Sequence, residues 1–244
     1  MSEEILINVT PQETRVAIVE NGVLQEVYVE RSRRRGLVGN IYNGRVSRVL
    51  PGMQAAFIDI GLSRTAFLHV SDLNSGMEEV ETGERMAAAS TVAIESLLRE
   101  GQEILVQVLK DPISTKGARL TTRVSIPSRY LVFVPGQTTL GVSQRIENEA
   151  ERERLRGILQ SCNTTELKLA AAAGNVVALA PRAGSTPTAR GGFIVRTVAE
   201  GASAEDLYRE VEFLQRLWDS IIQRSKASPA LTVVYEDLPL VMRT

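Results

Sequence analysis

Short runs of alternating apolar and polar residues fill the first thirty positions: Ile5-Leu6-Ile7-Asn8-Val9, then Arg15 to Val19, then Val23 to Val29. Alternation of this period predicts strands, and Asn21-Gly22 predicts the tight turn between the second and third. Residues 3–30 therefore read as a three-stranded antiparallel meander. Three strands with no helix bury too little to stand alone, so the meander must lean on something later in the chain. From Gly39 to Leu73 the pattern is GNIYNGRVSRVLPGMQAAFIDIGLSRTAFLHVSDL, three more strands broken at Pro51-Gly52 and at Gly61. A polar, acidic stretch from Asn74 to Ala93 reads as a loop leading into a short helix around Val92 to Arg99. EILVQVL (103–109) and ARLTTRVS (118–125) restore the strand pattern. Five strands in this order, with a small helix after the third, predict an oligonucleotide-binding barrel.

The second half changes period. YLVFV (130–134) is a buried-type strand ending at Pro135-Gly136, and Glu149 to Gln160 is a charged helix with Leu155, Ile158 and Leu159 on one stripe. Residues of about 163–190 are rich in Ala, Gly, Thr and Pro and poor in large apolar side chains, which reads as a flexible insertion. Phe193-Ile194-Val195 is a strand, and Ala204 to Lys226 is a long helix carrying Leu207, Val211, Leu214, Leu217, Trp218 and Ile221 on one face. Trp218 belongs to that core stripe. A last strand is expected from Leu231 to Tyr235.

The chemistry sits at a few positions. Phe57 and Phe67 fall in consecutive, pairable strands. If both face outward they offer two flat rings to unstacked bases; otherwise they are core. Lys116 lies in the loop 110–117, at the expected rim of the barrel, where an ammonium group meets phosphate. Arg31 to Arg35, RSRRR, reads as a solvated linker. Arg196-Thr197 at a strand end supplies a guanidinium fork and a hydroxyl, which can together hold a terminal phosphate, although Arg-Thr is a common pair. Asp59, Asp72 and Asp111 are placed for structural roles in a strand and in turns.

Composition narrows the setting. A net charge of −1 over 244 residues provides no global positive field, so nucleic-acid binding has to rest on local clusters. One cysteine, Cys162, excludes an internal disulfide, and no Cys/His array has zinc-ligand spacing. The acidic start MSEEILINV is no secretory signal, and no window reaches the length of a membrane span; a cytoplasmic protein is expected.

The words NVTPQETRVAIVENGVLQE (8–26), GNIYNGRVSRVLPGMQAAFIDIG (39–61), AFLHVSDL (66–73), VLKDPISTKGARLTT (108–122), PSRYLVFVPG (127–136), GVSQRIENEAERERL (141–155) and GGFIVRTVAEG (191–201) carry a resemblance over nearly the whole chain. In this order they resemble the N-terminal half of the ribonuclease E and ribonuclease G family of bacterial endoribonucleases, and its ribonuclease G branch more closely. The resemblance implies an α+β, multi-subdomain fold, with an S1-type OB-fold barrel (37–125) inserted in a ribonuclease H-like subdomain. That subdomain would comprise residues 1–36 and resume at 215–244, with an α/β 5′-sensor region at 126–214. It implies RNA binding by Phe57, Phe67 and Lys116, and 5′-monophosphate binding by Arg196 and Thr197 with Val132 lining the pocket and Ser128 contributing backbone; Arg145 is a further candidate. At Ser128 ribonuclease E carries glycine, and the PSRY form here resembles the ribonuclease G branch. Asn43 stands where members often carry lysine in NIYKG, which removes one potential phosphate contact.

The same resemblance implies single-stranded RNA as substrate, in ribosomal RNA processing and messenger decay, and a homo-oligomer for the full-length protein. It implies cleavage by Mg2+ held on two aspartates and a Zn2+ link, all in a domain following this segment, so the segment alone is expected to bind RNA without cutting it. The rival expectation is a stand-alone S1-type RNA-binding module with no nuclease domain.

Overall fold

In a computed structural model of the chain, the residues described are 3–32, 35–73, 93–137, 140–173 and 191–243. The N-terminal meander forms as the alternation requires: β1 (Glu3–Val9), β2 (Glu13–Glu20) and β3 (Val23–Arg31) pair antiparallel, with Val16 opposite both Ile7 and Tyr28. Asn21 and Gly22 both adopt positive φ, 50° and 79°, the backbone of a turn whose twist matches its flanking strands. The meander buries little: Val16 is fully buried, while Ile5, Ile7, Val27 and Val29 stay about half exposed.

The chain then closes a five-stranded barrel from β4 (Ile41–Leu50), β5 (Ala55–Asp59), β6 (Ala66–His69), β7 (Glu103–Lys110) and β8 (Arg119–Thr121). Neighbours run β4-β5-β6-β8-β7 and back to β4, with β6 and β8 parallel and the other pairs antiparallel. Val46, Ile58, Leu68, Val106 and Leu120 fill the interior, joined by Ile94 of the one-turn helix α1 (Ile94–Leu97). Two glycines let backbone and side chains approach. A Cβ on Gly44 would lie 2.6 Å from the Ile58 Cγ2, and one on Gly117 would lie 1.9 Å from the Thr65 carbonyl oxygen. Residues 74–92, between β6 and α1, lie outside the described residues, and so does Val92 at the start of the expected helix.

A second core belongs to an α/β unit. Its sheet runs β11 (Leu140–Val142), β12 (Gly191–Val195), β10 (Leu131–Pro135), β9 (Ile126–Pro127), with β11 parallel to β12 and the rest antiparallel. Helices α2 (Glu149–Ala173) and α3 (Ala204–Ala227) pack on it. Phe133 and Phe193 stack at 5.0 Å between ring centroids, with Trp218 edge-on to Phe133 at 6.4 Å; the helices add Leu155, Leu159, Leu207, Val211, Leu214 and Ile221. Trp218 is thus a core residue, as its stripe predicts. Ser203 caps α3 by accepting the Asp206 amide at 3.2 Å, and the helix runs unbroken through residues 214 and 215.

Two expectations change. The flexible insertion placed at about 163–190 is too long, because the backbone of α2 remains helical through Ala173. TELKLAAAA is composed almost wholly of strong helix formers, so propensity continues the helix where large apolar residues run out. Residues 174–190 lie outside the described residues. The final strand, β13 (Thr232–Tyr235), pairs with β4 of the barrel and not with the meander. On that side β5 reaches only as far as Arg45, so the first residues of β4 offer an open edge, which Leu231 enters by donating its amide to the Asn43 carbonyl at 2.7 Å. The one-turn helix α4 (Leu240–Arg243) then packs back onto β2 and β3.

Candidate nucleic-acid interface

Strand alternation settles which way the barrel aromatics face. Ala56, Ile58, Ala66 and Leu68 are fully buried inside, so the intervening Phe57 and Phe67 project outward and are half-buried. The register sets them directly opposite each other, and the rings meet edge to face at 6.2 Å and 67°. The row across four strands reads Arg48, Phe57, Phe67, Arg119. Asp72 fixes the Arg119 guanidinium through contacts of 3.0 Å from Nε and 2.8 Å from Nη2. His69, two residues along β6 on the same face, lies 6.5 Å from the Phe67 ring and 27° from parallel. The Ser71 amide and hydroxyl lie 3.2 and 2.8 Å from its Nδ1, which orients the ring.

Lys116 is exposed on a turn closed by reciprocal backbone hydrogen bonds with Ile113, of 3.2 and 2.9 Å. Ser114 at its tip has φ 51° and accepts the Arg64 guanidinium through its carbonyl. The turn leads within three residues into Arg119 of β8, so this lysine belongs to the same edge of the barrel as Phe67. The candidate carboxylates are spoken for: Asp59 accepts the Gly61 amide at 2.9 Å, Asp111 the Leu37 amide at 2.6 Å, and Asp72 holds Arg119.

Asn43 does not lie on the exposed face of the barrel. It is 8% exposed, its Nδ2 donates to the carbonyls of Ser225 (2.7 Å) and Ser228 (3.2 Å), and its Oδ1 accepts the Ser225 hydroxyl at 2.6 Å. The side chain ties the barrel to the C-terminal end of α3, because β13 draws that helix end over this stretch of β4. It is not a vacant phosphate contact on the barrel surface.

The second set of residues lies at one end of the β10–β12 pair. Arg196 follows β12, donates its amide to the Tyr130 carbonyl at 2.8 Å, and places Nη1 2.5 Å from the Ser128 carbonyl oxygen and 3.3 Å from that of Arg129. Arg196 is exposed, and Thr197 beside it is half-exposed with no hydroxyl partner among the described residues. The structure thus brings Arg196 and Ser128 into contact. Ser128 itself is occupied internally: its amide donates to Leu131 O at 2.8 Å and its hydroxyl to Glu210 at 2.6 Å. Val132 is half-buried opposite Ile194, on the face of the sheet turned away from Phe133. Arg145 is exposed on the turn after β11, its amide donating to the Ser143 hydroxyl at 3.4 Å.

Behind Thr197 the chain is braced by Glu151 of α2. Its carboxylate takes two hydrogen bonds of 2.7 Å from Arg154 and one of 2.9 Å from the Gly201 amide. These donors, the Arg154 bonds foremost, hold its carboxyl down at about 2. Sequence reading missed His69, Arg119 and Glu210. His69 was signalled by its spacing of two from Phe67; Arg119 and Glu210 depend on register and on contacts far along the chain.

Outward rings beside a cation held in place suit an unpaired strand of nucleic acid, whose bases stack on aromatic faces and whose phosphates meet cations. Comparison with known proteins gives that chemistry a context. Residues 125–244 match the Ribonuclease E/G family. The chain is 48% identical over all its 244 residues to Ribonuclease G of Salmonella typhimurium, covering 45% of that protein, and 47% identical to Ribonuclease G of Escherichia coli K12 with the same coverage. It is 32% identical to Ribonuclease E of a Nostoc species, covering 30% of that protein. The chain belongs to the ribonuclease E/G family, and it spans less than half the length of these relatives.

Proposed function

We propose that this chain is the RNA-recognition part of a family endoribonuclease, gripping single-stranded RNA on an S1-type barrel and reading a 5′-monophosphate at the end of the α/β sheet. The observation that carries the reading is the outward pair Phe57 and Phe67 on a closed barrel, beside Arg119 and the Lys116 turn. Rings on adjacent strands stack successive bases without regard to sequence, and each stacked base contributes about 1–3 kcal/mol. Arg196 supports the second half of the reading. Its Nη1 is spent on two carbonyls, and Nε and Nη2 have no partner among the described residues, leaving one edge of the guanidinium for a forked phosphate contact, with Thr197 as hydroxyl donor.

Among the described residues no group of three or more His, Cys, Asp or Glu side chains gathers to hold a metal ion. Asp59, Asp72 and Asp111 serve the barrel and its approach. No described helix is long and apolar enough to cross a membrane. The test compares binding of short RNAs bearing 5′-monophosphate and 5′-hydroxyl ends, before and after Arg196→Ala. The monophosphate is expected to bind more tightly, with the difference lost in the variant. Equal affinity for both ends in the unmutated chain overturns the end-reading role.

A further inference from the structure

Glu210 lies on α3 between the buried Leu207 and Val211, so packing of the helix fixes where its carboxylate points. One carboxylate collects the Ser128 hydroxyl (2.6 Å), the Tyr130 amide (3.0 Å) and the Leu131 amide (3.1 Å). These donors come from the turn whose carbonyls, at Ser128, Arg129 and Tyr130, accept from Arg196. The turn is therefore held between two opposite charges: its N–H groups face a carboxylate and its C=O groups face a guanidinium. The Arg129–Tyr130 peptide is engaged by both, its N–H on Glu210 and its C=O on the Arg196 guanidinium, and bonds with a charged partner are the strong ones. Arg196 is exposed and long, and without such a turn its rotamer freedom would have to be lost on binding an anion.

We infer that Glu210 is a positioning residue for the 5′-phosphate site, acting on Arg196 through the Ser128–Leu131 turn without touching the phosphate. This rests on the proposed end-reading role of Arg196. The charge matters: the three bonds converge on one carboxylate oxygen, and an amide whose oxygen keeps that place turns its NH2 toward the Tyr130 amide and brings no negative charge to align the turn, although side-chain size is kept.

The experiment measures, with the full chain, the ratio of affinities for otherwise identical RNAs with 5′-monophosphate and 5′-hydroxyl ends, for the unmutated protein, Glu210→Gln, Ser128→Ala and the double variant. The ratio is expected to collapse to unity in Glu210→Gln, to fall less in Ser128→Ala, and to fall no further in the double variant than in Glu210→Gln. A merely structural role weakens both RNAs alike and preserves the ratio; that result overturns the inference while leaving the end-reading role standing. A ratio of unity in the unmutated protein overturns the end-reading role itself, and the inference with it. Should Glu210→Gln fail to fold, Ser128→Ala alone decides, since it removes one of the same bonds without altering α3; an undiminished ratio there counts against the inference.

Discussion

The barrel face and the Arg196 turn present cations to solvent by opposite means. On the barrel the functional side chains are set by strand register, with Phe57 opposite Phe67 and Arg119 beside them, and the scaffold beneath is apolar. At the turn, the geometry is set by charge, with carboxylates on two helices, Glu151 and Glu210, holding loops that carry few buried apolar groups of their own. A surface built on register is rigid because its core is packed; one built on carboxylates is rigid only while they are ionised and unscreened.

Five substitutions sharpen or break this contrast. The largest effect is expected from Phe57→Ala and Phe67→Ala, each lowering RNA affinity by about 1–3 kcal/mol, equally for either 5′ end. Fluorescence anisotropy checks this, and a loss confined to 5′-monophosphate RNA would assign the rings to the wrong site. Gly117→Ala forces the Thr65 carbonyl to move and should reduce stability by an amount near the top of about 1–3 kcal/mol. Hydrogen exchange should then rise in β6 and β8 ahead of β10 and β12. Asn43→Ala removes the bonds that join the two regions and should lower the urea-unfolding free energy of both together, by roughly 1–2 kcal/mol. If only one region responds, the junction is not where they couple. The smallest effect is pH dependence at Glu151. Its carboxyl sits at about 2 when folded, against 4.5 as its ordinary value, so its stabilising contribution is full above pH 5 and is lost as pH falls from there toward 2. The difference in denaturation midpoint between the unmutated chain and Glu151→Gln should shrink between pH 5 and pH 3.

The barrel could be read from sequence because each of its signals is local. Alternation along AAFID and AFLH, with turns at Pro51-Gly52 and Gly61, marks the strands, while the outward direction of Phe57 and Phe67 comes from the burial of their strand neighbours. Arg196 and Thr197 were legible only as a motif, since the partners that orient the guanidinium lie 67 and 68 residues away in the chain. Glu210 had no local signature, being one acidic residue among several on an amphipathic helix. Asn43 misled for the complementary reason: its neighbours in β4 place it on a barrel strand, while its environment is supplied by Ser225 and Ser228, which β13 brings in from nearly the other end of the chain. The extension of α2 was visible in propensity, where a reading weighted toward apolar stripes passed over it.

The seating of β13 along β4 also orders events in time. Thr232–Tyr235 lies end to end with β5 on one side of β4, about 190 residues after the strand it completes. During synthesis, β4 to β8 can close on themselves by residue 121, yet the Ile41–Asn43 edge stays open until Tyr235 has left the ribosome. For that interval the nascent chain carries a formed barrel with an unpaired strand edge, the kind of edge on which a neighbouring chain can add a strand. The closing strand thus acts as a late seal, and the speed at which residues 122–235 are made and folded sets how long the seam stands open.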